Sequence, residues 1–434
     1  MDGRRVPLDR WGDDRSGAER GGATTPTPGA SGAESMGPRL ETRSSTTDRT
    51  SREMALLRRT LAYAREREYT GPDYGDGMSS RLLRALPVES KWLNLAVQET
   101  VKRSPVNLRP LFLVEQRRNF KGAALFAMAN VTAHRLSGRP GYLEEAESLV
   151  EWLLDHQSDW YPEFCGCHRH DLQGLDGRVE AGTPGVVGTA YGVQALLAAA
   201  DAIDDRYADV AHSAAEFVLD RLDYEEGDLG ARIKYKPTES GEHYTLNANA
   251  LGARILLDLH ADRPERGLRG PATEILDYVV SRQTDAGGWY YRHPPDASHL
   301  SMDTHHNGFI TESLLRFREV TGSDRYQESL SASLSFHREV LFDGDGAPNF
   351  DESSTYPRDV HAAAQGVLVF TYAGDLQTAR KIIDWTVDAL HAGDGRFYFR
   401  KHRLFTNRVT LMRWCQAWMA YALAEYLIAA VVAD

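Results

Sequence analysis

The sequence predicts an all-α protein, an (α/α)6 toroid of six helical hairpins with short β-hairpin-like loops at its mouth. Two repeating patterns indicate this fold. Helices rich in Ala, Gly and Leu on nearly every face alternate with helices that carry one apolar stripe. Asp-Gly turns flanked by aromatic residues follow the striped helices and lead back to the apolar ones.

The helices that are apolar on all faces are predicted to line the inside of the ring, because such helices are usually buried all round. Five copies of the hairpin unit begin near residues 121, 186, 246, 304 and 359. Their spacing is typical of paired-helix repeats. A sixth inner helix covers 411–430, and helices near 53–66 and 79–101 are expected to provide its partner and close the ring. An open helical solenoid is the alternative, since the pattern indicates repeats but not closure.

The composition bounds the domain organisation and the class of partner. Residues 1–50 are rich in Gly, Ser, Thr, Pro and Arg, so this segment is predicted to be disordered and the toroid domain to span 51–434. The chain has a formal net charge of -12, which argues against nucleic acid as a partner. Three cysteines are too few for a disulfide framework, and no apolar run follows the first arginines. We therefore expect a cytoplasmic protein.

The segment 414–433 is the stretch most apolar in character, and its length would suit a membrane-spanning helix. Gln416 and Glu425 interrupt it, and no basic cluster follows. These features favour a helix buried inside the protein, so no membrane insertion is expected.

Polar residues cluster at the start of each predicted inner helix. In a toroid all these helix starts face one end, so their side chains are predicted to converge on a single cleft. For Asp303, Asn247 and Asp359 a simpler interpretation exists, because Asp and Asn are common N-cap residues. His305, His306, His361, Arg413 and Trp414 are rare in the first turns of buried helices unless they have partners, so the group favours a binding site.

Two other motifs receive different interpretations. Cys165, Cys167, His168 and His170 contain the atoms that zinc prefers, but the cysteine spacing is unusual for zinc and no second Cys/His pair supports it. We predict no metal and no cofactor. The segment 283–289 (QTDAGGW) resembles the glutamine-tryptophan repeat of terpene cyclases, yet no aspartate-rich diphosphate motif accompanies it. This resemblance indicates a shared architecture only.

A second resemblance covers nearly all of the chain after about residue 70. It rests on five motifs, which are YGDGMSS (74–80), NLRPL (107–111), DTHHNGF (303–309), YPRDVH (356–361) and MRWCQAWM (412–419). In these motifs the chain resembles poorly characterised proteins linked to polysaccharide biosynthesis. Those proteins are similar to six-hairpin glycosidase-like toroids, a superfamily that includes unsaturated-glucuronyl hydrolases, sugar epimerases and uronate-processing enzymes.

The resemblance implies ten site residues, which fall into two groups. The implied catalytic residues are Asp303, His306, Asp359 and His361. The implied substrate-binding residues are Asn107, Arg109, Asp171, Asn249, Arg413 and Trp414. The implied partner is a carbohydrate, and association with glycan-assembly enzymes is expected.

The residue types leave several functions open. If the substrate is a uronic acid, an arginine such as Arg109 or Arg413 would bind its carboxylate, and His306 or His361 would remove the C5 proton in an epimerase or lyase. Hydrolysis of a glycoside by Asp303 and Asp359 is a second possibility. A non-catalytic glycan-binding or scaffold protein would use the same contacts, and a prenyl or terpene enzyme is a fourth alternative.

Overall fold

A computed structural model describes residues 39–88, 90–175 and 177–433, with side chains from residue 52 onward. Most of the segment predicted to be disordered, residues 1–38, lies outside the described residues. A helix already begins at Arg39, inside the predicted disordered segment. The compact unit that contains the ring comprises Thr47–Asp434.

Most of the described residues belong to helices, which we number in chain order. The helices are α1 (Arg39–Arg65), α2 (Arg81–Arg84), α3 (Lys91–Arg103), α4 (Phe120–Ser137), α5 (Gly141–Asp155), α6 (Val186–Ala202), α7 (Arg206–Glu216), α8 (Leu246–Asp262), α9 (Arg269–Val280), α10 (Thr304–Thr321), α11 (Gln327–Phe336), α12 (Val360–Tyr372), α13 (Leu376–Leu390) and α14 (Trp418–Ala433).

The six inner helices form a closed ring. Helices α4, α6, α8, α10, α12 and α14 each pack against the next, and α14 packs against α4. Helices α5, α7, α9, α11 and α13 each pack against the inner helix that precedes them in the chain. The predicted (α/α)6 toroid is therefore confirmed, and an open solenoid is excluded.

The two ends of the chain combine to complete the sixth hairpin. Leu57 and Leu61 of α1 are fully buried in the core that the inner helices share. Glu53 of α1 forms an ion pair with Arg380 of α13, with 3.1 Å between Oε2 and Nη1. Helix α1 thus lies beside α13 and buries one face in the shared core, next to the sixth inner helix in the ring. Helix α3 has another position, because it lies against the loop after α5 and contacts Gln173 there.

Helix α14 is apolar because it belongs to the inner ring. The stretch Met412–Ala433 is long and apolar enough to cross a membrane by length and composition alone, but 67% of its most apolar window is buried within the structure. It opens with a π-helical turn, Met412–Ala417, and Trp418 at the following position is fully buried. The prediction of a buried core helix is confirmed.

Two-residue strands pair in the loops that lead into the inner helices. Each pair is antiparallel, and they join β1 (Thr70–Gly71) to β2 (Arg117–Arg118), β3 (Leu172–Gln173) to β4 (Arg178–Val179), β5 (Tyr244–Thr245) to β6 (Arg292–His293), and β7 (Arg358–Asp359) to β8 (Arg400–Lys401), which also pairs with β9 (Thr406–Asn407). These pairs surround the end of the ring where the inner helices begin, as the sequence predicts.

Close backbone packing brings one of these loops onto the inner wall. A Cβ atom added to Gly166 would lie 2.4 Å from the carbonyl carbon of Gly188, a distance that real Cβ atoms do not reach. Gly166 therefore requires glycine, and both Gly166 and Gly188 line the cavity at the mouth of the ring.

Candidate functional site

A cavity of about 450 Å³ occupies the mouth of the ring. Its lining comes from the first turns of all six inner helices and from the loops before them. The polar side chains that line it are Tyr74, Gln98, Lys102, Asn119, Lys121, His168, His170, Gln173, Tyr235, Asn247, Tyr291, His299, Asp303, His305, His306, His361, Arg400 and Arg413. The predicted convergence of distant helix starts on one cleft is therefore seen in the structure.

One carboxylate orients two of the histidines. Asp303 is the N-cap of α10 and accepts a hydrogen bond from the backbone N–H of His306. Its two oxygens also lie 3.0 Å from Nδ1 of His305 and 2.7 Å from Nδ1 of His306. Burial raises the pKa of Asp303, but His306 and His305 outweigh burial and lower it to about 2. Because the ionised carboxylate only accepts hydrogen bonds, Nδ1 of His306 donates to it, and Nδ1 of His305 lies close to its other oxygen.

A third histidine, His361, lies beside this pair in the first turn of α12. Its ring centroid is 4.7 Å from that of His305, and its ring stacks on Trp418 at 4.3 Å. It is 1% exposed, and neither of its ring nitrogens has a hydrogen-bond partner among the described residues. Burial, together with the nearby charges of His305 and Lys121, lowers the pKa of His361 well below its ordinary value. A neutral, unpartnered imidazole therefore faces the cavity.

Two basic side chains lie near the imidazoles, Lys121 beside Trp418 on which His361 stacks, and Arg413 next to Trp414. The guanidinium of Arg413 contacts both oxygens of Asp73 through Nε and Nη2, at 3.1 and 3.0 Å. Lys121 lies in the first turn of α4, where its Nζ is 5.4 Å from the ring centroid of Trp418. Burial and the charge of Arg413 lower the pKa of Lys121 well below its ordinary value, and Asp73 opposes them only in part.

Trp414 provides an apolar wall that a second carboxylate fixes in place. Its ring stacks on Tyr74 with centroids 4.3 Å apart. Its Nε1–H donates to Oδ1 of Asp359 over 2.8 Å. The other oxygen of Asp359 accepts from Nε of Arg400 over 2.6 Å. Asp359 is also the N-cap of α12, so its acceptor capacity is used within the protein.

The structure places five of the ten predicted site residues on the cavity. These are Asp303, His306, His361, Arg413 and Trp414. Their functional roles remain predictions, but their positions allow direct contact with a ligand.

The other five predicted residues do not line the cavity, and each has a supporting contact instead. Asn107 is exposed and accepts a hydrogen bond from the backbone N–H of Arg109. Arg109 is buried in an ion pair with Asp76, with 2.7 Å between Nε and Oδ2. Asp171 accepts hydrogen bonds from Arg178 and from the N–H of Ala181.

Asn249 lies in the first turn of α8, and Asp359 is the N-cap of α12, but both side chains face neighbouring structure. Asn249 is fully buried, and its amide pairs with both backbone groups of Ile233 in the preceding loop. Asp359 holds Trp414 and Arg400, as described above. We correct the prediction for Asn247 as well: Thr245 occupies the N-cap of α8, and Asn247 is part of the helix and lines the cavity with an unpartnered Oδ1.

Several lining residues were given no role in the site by the sequence reasoning. His168 and His170 were considered as zinc ligands, and the structure instead places them on the cavity wall. Burial and neighbouring positive groups lower the pKa of His168 to about 3. Lys121, in the first turn of α4, also lines the cavity, as does His305, which the sequence placed in the group that favours a binding site.

One group among the described residues has the geometry of a metal site, and it is not the cysteine-histidine cluster. Asp303, His305 and His306 can place one ligand atom each within 4.8 Å of one another. The same atoms already form the hydrogen bond from His306 to Asp303 and the 3.0 Å contact of His305 with Asp303. These contacts give the triad a complete role without an ion, and the absence of a metal stays a prediction.

Comparison with known proteins identifies the fold. No family model and no curated protein sequence matches the chain. Solved structures do match, among them cellobiose 2-epimerase from Bacillus thermoamylovorans, with a TM-score of 0.59, 13% identity, and coverage of 72% of this chain and 88% of that one. A family 76 α-mannanase from Bacteroides thetaiotaomicron has a TM-score of 0.54, 15% identity, and coverage of 73% and 88%. A D-mannose isomerase has a TM-score of 0.55, 10% identity, and the same coverage.

These similarities define the class of fold to which the chain belongs. At identities of 10 to 15% they show that it shares the (α/α)6 toroid of the three proteins. What the chain does has to be argued from its own cavity.

Proposed function

We propose that this protein is an enzyme that moves a proton on a carbohydrate, at a carbon next to a carboxylate or carbonyl group. The observation that carries the proposal is the cluster of imidazoles at the mouth. His361 is buried with both nitrogens unpartnered, beside His305 and His306, whose Nδ1 atoms are fixed by one carboxylate. Similar toroids in the solved cellobiose 2-epimerase and D-mannose isomerase support a carbohydrate as the substrate.

The chemistry follows from the protonation states. Burial favours the neutral form of His305 and His361, and a neutral imidazole accepts a proton. One imidazole would take the proton from the carbon, and the electron pair left behind would delocalise onto the adjacent carboxylate or carbonyl. Return of a proton to the other face would complete an epimerisation, whereas loss of the neighbouring oxygen substituent would complete an elimination. Arg413 would stabilise the negative charge that develops on oxygen.

Hydrolysis by two carboxylic acids receives less support. That reaction needs a pair of Asp or Glu side chains that both reach the scissile bond. Among the described residues Asp303 is the one carboxylate that lines the cavity, and two imidazoles engage it. Asp359, the expected second carboxylate, is held by Trp414 and Arg400.

Solvent isotope exchange tests the proposal. The protein is incubated in D2O with a panel of uronic-acid oligosaccharides and neutral reducing disaccharides, and deuterium at carbon is measured by mass spectrometry and NMR. We expect incorporation with the wild type and a loss of about 10²- to 10⁴-fold in the rate for His361→Ala or His306→Ala. His134→Ala is the control, since His134 lies in the last turn of α4, outside the cavity.

Two outcomes would contradict the proposal. The first is no deuterium at carbon for any saturating substrate, and the second is an unchanged rate in both cavity variants. We further propose that the protein works in the cytoplasm and associates with glycan-assembly enzymes, and this part rests on the sequence expectations alone.

A further inference from the structure

The basic side chains that line the cavity differ in whether each forms an ion pair with a carboxylate. Arg413 pairs with Asp73, Arg400 with Asp359, and Lys102 with Glu99. Lys121 forms no hydrogen bond or ion pair with a described residue. The cavity therefore holds one basic side chain that no described acid pairs with.

Lys121 lies among aromatic rings, which makes an unpaired ammonium group unfavourable at this position. Its Nζ lies over three aromatic rings, at 5.4 Å from the centroid of Trp418, 5.7 Å from Tyr191 and 5.9 Å from Phe309. Aromatic faces attract a cation weakly, and they replace the water that would solvate an ammonium group. Lys121 is half-buried, and a ligand that carries an anionic group can supply the partner that its amine lacks among the described residues.

Lys121 and Arg413 lie side by side. A Cβ atom added to Gly122 would be 3.2 Å from Cβ of Arg413, so α4 and the π-helical turn Met412–Ala417 touch at this point. The contact of Arg413 with Asp73 uses Nε and Nη2, and Nη1 has no partner among the described residues. Two adjacent groups thus offer open N–H donors to the same part of the cavity.

The backbone adds to the positive potential here. Inner helices α4 and α6 begin at the cavity, and helix N-termini carry partial positive charge. An anion with two oxygens is the ligand that a guanidinium and an amine together recognise best.

We propose that Lys121 and Arg413 form a subsite for the carboxylate of a uronic acid, and that Lys121 makes the protein prefer uronates over neutral sugars. The inference rests on the proposed function for the identity of the cavity, and it names the substrate class. It places the carboxylate against Lys121 and Arg413 and the adjacent carbon against the imidazoles next to them.

The low pKa of Lys121 gives the subsite a second property. Burial beside Arg413 favours the neutral amine in the free protein, whereas a bound carboxylate would favour the ammonium form. Uronate binding should therefore draw up to one proton from solution, and a neutral sugar should draw none.

Calorimetry of paired ligands tests the preference. D-Glucuronate is compared with D-glucose, and D-galacturonate with D-galactose, on the wild type and on Lys121→Met. A charge-assisted hydrogen bond is worth a factor of about 10 to 100 in affinity, so we expect the wild type to prefer each uronate by at least that factor. Lys121→Met should lose most of the preference, because methionine fills the same aromatic surroundings without a charge.

Two further variants separate the role of Lys121 from general effects. Lys102→Met removes another lining cation, but one that already pairs with Glu99, and it should keep the preference. Lys121→Arg keeps the charge and should retain part of it. Repeating the titrations in buffers of different ionisation enthalpy should reveal proton uptake with uronate for the wild type, and none for Lys121→Met.

Three results would overturn the inference: equal binding of uronate and neutral sugar by the wild type, an unchanged preference in Lys121→Met, or no binding of either uronate. Failure of the proposed function would give a different result. The protein would still bind uronates in preference to neutral sugars, but no substrate would exchange deuterium at carbon.

Discussion

Two buried polar clusters lie inside the ring, and they differ in how their groups are matched. In the core cluster, deeper along the inner helices, Arg254 lies 3.4 Å from both Asp258 and Glu312. Arg316 pairs with Asp258 over 2.7 Å, and Tyr372 donates to Glu425 over 3.1 Å. Each charged group there faces an oppositely charged or hydrogen-bonding neighbour, although Nε of Arg254 and Oδ2 of Asp258 form no hydrogen bond with a described residue.

The mouth cluster is partly open to the cavity and lacks this matching. Among the described residues His361 has two unpartnered nitrogens, Asn247 has an unpartnered Oδ1, and Lys121 has no ion pair, since Asp73 pairs with Arg413. Unpaired buried polar groups cost free energy, so a protein keeps them where a ligand meets the need. The comparison indicates that the core cluster stabilises the ring and that the mouth cluster acts on a ligand.

The largest expected effect comes from breaking the core cluster. Arg254→Met should lower the free energy of unfolding by about 3–5 kcal/mol, because it leaves buried carboxylates without their shared cation. Denaturant titration measures this loss. The exchange rate per folded molecule should change little, and a strong loss of rate with intact stability would contradict the division between the clusters.

Asp303→Asn should have the next largest effect, and on rate instead of stability. Asparagine can still cap α10, so we expect a stability change of only a few tenths of a kcal/mol. The loss of the negative charge that fixes His305 and His306 should slow isotope exchange by about 10²-fold. The measurement is the exchange rate beside a thermal melt, and equal rates for variant and wild type would show that the imidazoles need no such orientation.

Glu312 should make the stability of the protein depend on pH. Burial raises its pKa to about 8, with Arg254 opposing and Glu425 adding to the rise. The folded state then binds a proton that the unfolded state releases, so stability falls as pH rises from the unfolded pKa near 4.5 to about 8. Between pH 6 and 8 the wild type should lose about 2 kcal/mol more than Glu312→Gln in urea titrations. Parallel curves for the two proteins would exclude this assignment.

Asp359→Asn should have the smallest effect of the four. Asp359 does not line the cavity but holds Trp414 and Arg400, so its replacement should loosen the wall against which a sugar packs. We expect about a tenfold rise in KM with a smaller change in kcat. If kcat fell by 10³-fold or more with KM unchanged, Asp359 would instead act on the reacting atoms.

The starts of the inner helices were predictable from sequence to within one or two residues. The predicted starts near 121, 186, 246, 304 and 359 compare with helices that begin at Phe120, Val186, Leu246, Thr304 and Val360. The prediction succeeded because a helix buried on all sides must be apolar on all sides, and such segments stand out.

The direction of each first-turn side chain was harder to predict, because successive residues of a helix point about 100° apart. Asn249 and Asn307 illustrate the problem. Each bonds the backbone of the loop before its helix, at Ile233 and at Trp289 respectively, and neither lines the cavity. Asparagine at the fourth position of both α8 and α10 was a visible repeat, and an internal repeat of this kind indicates a structural role. The partners of Lys121, which decide whether its charge is matched, come from distant segments that the sequence does not relate.

A crystal structure of the His306→Ala variant with D-glucuronate would test most directly whether the mouth cluster acts on one ligand. The sugar should occupy the cavity with its carboxylate within hydrogen-bond distance of Lys121 and Arg413 and its C5 carbon toward His361. Glucuronate bound elsewhere on the protein, or bound with its carboxylate turned away from both cations, would contradict the proposed site.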